Sequence, residues 1–215
     1  MGPESPAADP ADLSEYVGGF LAEDDALVAA RATARRLGSV PVSPSSGAVL
    51  RFLASVLRAK AVVEVGTGLG VSGLYLLRGM APDGVLTSID LDPEHQGLAK
   101  RTFAAAGVAA SRTRLIMGRA LDVLPRLTDG GYDLLFVDGS KPEYPQCYEQ
   151  GVRLLRPGGV MAFDNVLWEG RVAAPARRDP DTQGVREAVR AVREDDRLVP
   201  LLLPMGEGML VAAKV

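Results

Sequence analysis

From Lys60 onward the sequence repeats one hydropathy pattern: a short run rich in Val, Ile and Leu, then a longer stretch with apolar residues at helical spacing. Five runs follow this rhythm, "AVVEVG", "GVLTSID", "TRLIMG", "YDLLFVDG" and "GGVMAFDN", the last after the turn "RPGG". Runs this apolar belong to strands covered on both faces, the condition of a parallel sheet between two layers of helices. Two more runs, "LVPLLLP" and "GMLVAAKV", are separated only by "MGEG". That connection is too short for a crossover helix, so the pair predicts an antiparallel hairpin. The expected fold is α/β: a doubly wound, mostly parallel seven-stranded sheet with an antiparallel edge.

Ahead of the sheet, "DDALVAARATARRLG" and "SPSSGAVLRFLASVLRAK" carry apolar residues at helical spacing behind Asp and Ser caps. Residues 12–59 therefore read as N-terminal helices, residues 60–215 as the sheet-bearing core, and the Pro- and Ala-rich residues 1–11 as a disordered tail. A chain of 215 residues with 47% hydrophobic residues supports one well-cored domain. Its net charge of -3 provides no basic field for nucleic acid or an anionic membrane, which leaves a small molecule as the expected partner. The lone cysteine, Cys147, excludes an internal disulfide framework and reads as a neutral thiol in a reducing compartment. With no basic and apolar leader pattern in "MGPESPAADPA", the expected location is the cytosol.

Between the first run and its helix lies "EVGTGLGVSG", in which Gly66, Gly68 and Gly70 permit positive φ and let a ligand approach the backbone beside a helix N-terminus. Read from Gly68, "GLGVSG" satisfies the G-x-G-x-x-G dinucleotide pattern. The frame argues against it: the strand ends at Val65, the tight turn begins at Gly66, and Glu64 sits where a carboxylate suits a positive group or a hydroxyl better than a pyrophosphate. The second run ends "SIDLDPEH", placing Asp90 where it can accept hydrogen bonds from both hydroxyls of a ribose. Asp92 before Pro93 reads as a helix cap, and His95, the only histidine, as a residue of the exposed first turn.

Two later runs end on acids. "FVDGSK" puts Asp138 at a strand's carboxyl end with Lys141 three residues on, and "VMAFDNVLW" ends on Asp164 and Asn165. Ligands of open parallel sheets gather beyond the carboxyl ends of the strands, so these ends should converge on the rim that holds the glycine loop. Two close carboxylates repel unless a cation or proton lies between them, and hard oxygens without thiolate or imidazole favour Mg²⁺, Mn²⁺ or Ca²⁺ over zinc. The plainer alternative is that Asp164-Asn165 makes a turn and Asp138 caps a helix.

Glu64, the Gly66 to Gly70 loop and Asp90 together resemble the cofactor site of class I S-adenosylmethionine-dependent methyltransferases, with a Rossmann-like fold. "VDGSK" with "DNVLW", "LLRPGGV", "DNVLWEGRV", "REDDRL" and "LPMGEGML" resembles, from about Val42 to Val215, the metal-dependent O-methyltransferases of the caffeoyl-CoA and catechol type, especially the bacterial branch. The resemblance implies that Glu64 supports the methionine amino group, that Gly66, Thr67 and Gly68 pass beneath it, and that Ser72 meets the methionine carboxylate. It implies a backbone contact at Val42, a ribose held by Asp90 beside Leu91, and adenine near Gly118, Arg119 and Ala120. Asp138, Asp164 and Asn165 would hold the cation, Mg²⁺ first; Asp138 also borders the cofactor, and Lys141 acts as base or charge partner for the substrate hydroxyl. The activity implied is methyl transfer to a small acceptor with adjacent hydroxyls, in a homodimer.

The acceptor side departs from the pattern. Ala188 and Val189 stand where relatives often carry Phe-Asn, and Glu207 where they usually carry Asp. Trp168 and Tyr144 read either as walls of an aromatic acceptor pocket or as core. Arg171, Arg177 and Arg178, in the long loop "EGRVAAPARRDPDTQG", read either as contacts for an anionic acceptor tail or as ordinary surface arginines. Two other functions compete: an NAD-linked oxidoreductase, disfavoured for want of a separate substrate domain, and a cofactor-binding module without turnover, against which the intact Asp138, Lys141, Asp164 and Asn165 argue.

Overall fold

A computed structural model describes residues 12, 16, 17, 19, 20 and 22–215; the tail 1–11, expected to be disordered, lies outside the described residues. Two helices, α1 (Asp25–Arg36) and α2 (Pro44–Val56), lead into β1 (Ala61–Val65), α3 (Val71–Gly79), β2 (Val85–Asp90), α4 (Pro93–Ala105) and β3 (Thr113–Met117). Then follow α5 (Ala120–Val123), β4 (Tyr132–Val137), α6 (Tyr144–Leu154), β5 (Leu155–Phe163), α7 (Pro180–Glu194), β6 (Leu198–Leu203) and β7 (Met209–Lys214). The caps are those the sequence offers: Asp24 accepts from the Leu27 N–H, Ser43 from Ser46, and Asp92 from Glu94.

All seven runs form one sheet in the order β3-β2-β1-β4-β5-β7-β6, parallel from β3 to β5 and antiparallel at β5/β7 and β7/β6. β4 shows why the central runs are apolar throughout: Leu134 and Phe136 face one core layer, Leu135 and Val137 the other. Coverage stops at the edge, where Val199, Leu201 and Leu202 of β6 are exposed. The "RPGG" segment is not a turn ahead of the strand. β5 runs through it as an irregularity, with Tyr132 opposite Leu155 but Leu134 opposite Val160.

Register decides where the chemistry falls. Val65 lies opposite both Ile89 and Val137, and Val137 opposite Phe163. The ladder continues one residue further: Gly66 N–H donates to Ile89 O, Asp138 N–H to Val65 O, and Asp164 N–H to Val137 O. Gly66, Asp138 and Asp164 therefore stand in one row at the carboxyl rim, with Asp90 beside them. β1 and β4 flank the point where strand order reverses, so the crevice opens there.

At the opposite rim, Asp133 accepts from the backbone N–H groups of Lys60 and Ala61 and from Arg156 Nε, joining the start of β1 to β4 and β5. These contacts hold its carboxyl below the usual range against the opposing effect of burial. Asp133→Ala should cost about 2 to 4 kcal/mol by urea unfolding, since charged hydrogen bonds are lost and two N–H groups are left without their acceptor.

Candidate active site

The crevice is a cleft of about 460 Å³ lined by Val42, Gly66, Thr67, Gly68, Ser72, Asp90, Leu91, Gly118, Ala120 and Asp138. Gly66 has φ +93°, and a Cβ there would overlap the Asp138 carbonyl, so the turn needs glycine for conformation and for space. Asp90 fastens the loop: one carboxylate oxygen accepts from Gly68 N–H at 2.9 Å and the other from Asp92 N–H at 2.9 Å. Each oxygen keeps a further lone pair for a ligand hydroxyl. Thr67 and Ser88 share a 2.6 Å hydroxyl hydrogen bond beneath the loop. Leu91 is exposed on the cleft wall, and Gly118 N–H donates to Asp90 O, bringing the third strand's end to the same place. The Val42 carbonyl accepts from Arg31 Nη1 at 2.7 Å, which fixes the near wall.

Two residues expected in the cofactor site already have protein partners. Glu64 is fully buried beneath the loop, accepting from Ser72 Oγ at 2.6 Å and Ser88 Oγ at 2.5 Å. Burial pushes its carboxyl up to about 7 against the pull of the two hydroxyls. The Arg119 side chain pairs with Glu143, itself on the cleft wall, at 2.8 Å. His95 is corrected in the other direction: it is half-buried, lines the cleft, and brings Nδ1 to 3.8 Å from Asp90. The Asp92-Pro93 cap that starts α4 turns that first turn towards the crevice.

At the other end of Asp138 lies a compact charge cluster. Lys141 Nζ is buried and donates to Tyr144 OH at 2.7 Å, Asn165 Oδ1 at 3.0 Å and Asp138 Oδ1 at 3.3 Å. Tyr144 OH passes its own hydrogen to Asp164 O at 2.8 Å. Asp164 is 2% exposed, and its Oδ1 has no hydrogen-bond partner. Burial, then the charge of Asp138, pushes its carboxyl up to about 7. Asn165 adopts φ +58°, an αL conformation that asparagine tolerates and that turns the chain at the strand end. Among the described residues no cluster of three or more His, Cys, Asp or Glu side chains forms a metal-holding group. The set present is two carboxylates and an amide oxygen, and the orphaned Asp164 oxygen within it fits a hard divalent cation.

Trp168 stands over this cluster, with Lys141 Nζ 5.5 Å and Arg171 Cζ 5.6 Å from its ring. Tyr144 is core, fully buried against Phe163, and is no pocket wall. Ala188 is buried and Val189 packs on the same core layer, so those positions do not face the cleft. Glu207 accepts from Glu169 N–H at 2.9 Å and steadies the turn that carries Trp168. Arg177 and Arg178 are exposed.

A family model described as O-methyltransferase matches residues 20–215. The chain belongs to the O-methyltransferase family. A Mycobacterium sp. (strain JLS) protein named as an O-methyltransferase is 53% identical over 194 residues, covering 90% of this chain and 88% of its own. A Corynebacterium glutamicum crystal structure superposes with a TM-score of 0.89 at 32% identity, covering 95% of this chain and 96% of that one. The O-methyltransferase TomG of Streptomyces achromogenes, involved in tomaymycin synthesis and solved with S-adenosylmethionine, gives a TM-score of 0.86 at 31% identity over 95% and 96% of the two chains. Membership in this family sets the O-methyltransferase apart from the dinucleotide reading of "GLGVSG".

A carboxyl whose folded-state pKa lies above its unfolded value favours the fold while protonated, and that contribution is lost as pH rises through the folded value. For Glu64 the window runs from 4.5 to about 7. The melting temperature of the Glu64→Gln variant relative to wild type, both without cofactor, should therefore rise between pH 5 and pH 7. A difference that does not change with pH would contradict the burial argument.

Proposed function

We propose that this O-methyltransferase moves the methyl group of S-adenosylmethionine to one hydroxyl of a small acceptor with vicinal, catechol-like hydroxyls, with the help of a divalent cation. The observation that carries the reading is the unpartnered Asp164 oxygen, buried beside Asp138 and Lys141 at the cleft's edge. Two carboxylates here face one ammonium, and a second cation supplies the missing charge. Asp138, Asp164 and Asn165 would hold it, Mg²⁺ before Mn²⁺ or Ca²⁺. When bound, such an ion lowers the pKa of an acceptor hydroxyl.

The chain's own groups do the rest. Asp90 takes the ribose hydroxyls, the Gly66 to Gly70 loop runs under the methionine end, and Gly118 to Ala120 border the adenine. Ser72, already donating to Glu64, fixes that carboxylate below the methionine amino group. Lys141, as an ammonium, sits where it can stabilise the acceptor's oxyanion; only in its neutral form beside a bound cation could it instead receive the acceptor's proton. Trp168 covers the cluster, excludes water and offers a flat face to an aromatic acceptor. Asp138, shared by cleft and cluster, sets the two substrates side by side, and the in-line geometry supplies much of the rate.

A homodimer fits the exposed apolar residues of two surfaces, Phe52 and Val56 on α2 and Val199, Leu201 and Leu202 on β6. A reducing cytosol fits Cys147, buried with its thiol pushed up to about 12. Among the described residues no helix is long and apolar enough to cross a membrane.

Dialysis against EDTA should abolish transfer of labelled methyl from S-adenosylmethionine to catechols, and Mg²⁺ should restore it. Asp164→Asn should lower turnover on the order of 100-fold or more with little change in affinity for S-adenosylhomocysteine. Full activity in excess EDTA would rule the cation out.

A further inference from the structure

The segment between β5 and α7 is long, has only a short 3-10 turn at Trp168–Ala173, and pairs with no strand. Its carbonyls nevertheless have partners, because one side chain reaches back for them. Arg186, on α7, donates from Nε to Val172 O at 3.0 Å and from Nη1 to Arg177 O at 2.7 Å. Its Nη2 donates to Arg171 O at 3.1 Å and to Ala174 O at 2.5 Å. A planar guanidinium has donors in the fixed fork that such a set requires, and an ammonium does not. Gln183 adds the Arg178 carbonyl at 2.7 Å.

The same helix bears on the lysine. At Gly184 a Cβ would overlap the Lys141 carbonyl, so α7 rests directly on the backbone that carries Lys141. One turn of this helix thus touches both the Lys141 turn and the loop whose first residues put Trp168 over Lys141 and Arg171 beside Trp168. Trp168 and Glu169 adopt φ of 47° and 52°, a conformation costly for these residues that persists only where neighbours hold it. Glu207 holds one end of this turn, and Arg186 holds the other.

We propose that Arg186 is the positioning residue of the acceptor side: it fixes residues 171–177 in one conformation and so sets Trp168, with Arg171 beside it, against Lys141. The assignment rests on the acceptor lying beneath Trp168, as in the function proposed above. It does not require Arg186 to touch the acceptor, the cofactor or a cation.

Trp168 is the only tryptophan of the chain, so its fluorescence reports on this loop without any assay of turnover. In full-length Arg186→Met, acrylamide quenching of Trp168 should rise, and trypsin should cut at Arg171, Arg177 and Arg178 roughly 10-fold faster than in wild type. The KM for a catechol acceptor should rise about 10-fold or more, while the affinity for S-adenosylhomocysteine stays within about twofold by calorimetry. Arg186→Lys, which keeps the charge but not the fork, should show the same changes in weaker form. Arg112→Met is the control for general loosening, because Arg112 likewise serves three carbonyls, of Leu77, Ala81 and Gly84, far from the loop; it should leave Trp168 quenching unchanged. Unchanged quenching and proteolysis in both Arg186 variants would overturn the proposal, as would a loosened loop with an unchanged acceptor KM. If wild type methylates no acceptor, the functional reading fails separately, and the fluorescence still decides whether Arg186 holds the loop.

Discussion

The rim of this sheet depends on an unbalanced charge. Asp138 and Asp164 end neighbouring strands, Lys141 Nζ reaches Asp138 and Asn165, and one oxygen of Asp164 is left without a partner at 2% exposure. A carboxylate buried this way is costly unless it is protonated or faces a cation, and its pKa of about 7 expresses that cost. Folding alone gains nothing from such an arrangement. The sheet tolerates it because Val137 and Phe163, the residues before the two acids, are fully buried in the core beneath.

Register turns this local feature into a site. One continued ladder sets Gly66, Asp138 and Asp164 side by side, and Asp90 closes the row through its bond to Gly68 N–H. The glycine loop can lie flat only because Gly66 has no side chain to meet the Asp138 carbonyl. The glycine-loop cleft and the carboxylate cluster are therefore two halves of one strand rim, joined at Asp138. A change that shifted β4 against β1 by one residue would separate them and turn β4's two core faces over together.

Much of this was legible in the sequence because it is local. Apolar runs with short connections give the strands and the edge hairpin, Asp92-Pro93 gives a cap, and acids at run ends give the rim. What escaped depends on side chains that cross long stretches of chain. Glu64 is sealed by Ser72 and by Ser88, which lies on another strand, and no spacing rule pairs them. Tyr144 reads from sequence either as a pocket wall or as core; its hydroxyl points inward to the Asp164 carbonyl, and the residue is core. Arg186 sits in "REAVRAVREDDR", a stretch that reads as a solvated helix face, yet its guanidinium serves four carbonyls of the preceding loop. His95 lines the cleft because α4 starts at the rim, which the cap announced without showing its direction.

The central claim is that oxygens of Asp138, Asp164 and Asn165 hold a divalent cation beside the methyl donor. Anomalous diffraction at the manganese edge, from crystals grown with Mn²⁺ and S-adenosylhomocysteine, tests this most directly. The account predicts a single strong peak bounded by those three side chains, next to the sulfur of the bound product. A rim with no anomalous density, with Lys141 still bridging Asp138 and Asn165 and Asp164 bonded to another protein group, would contradict it.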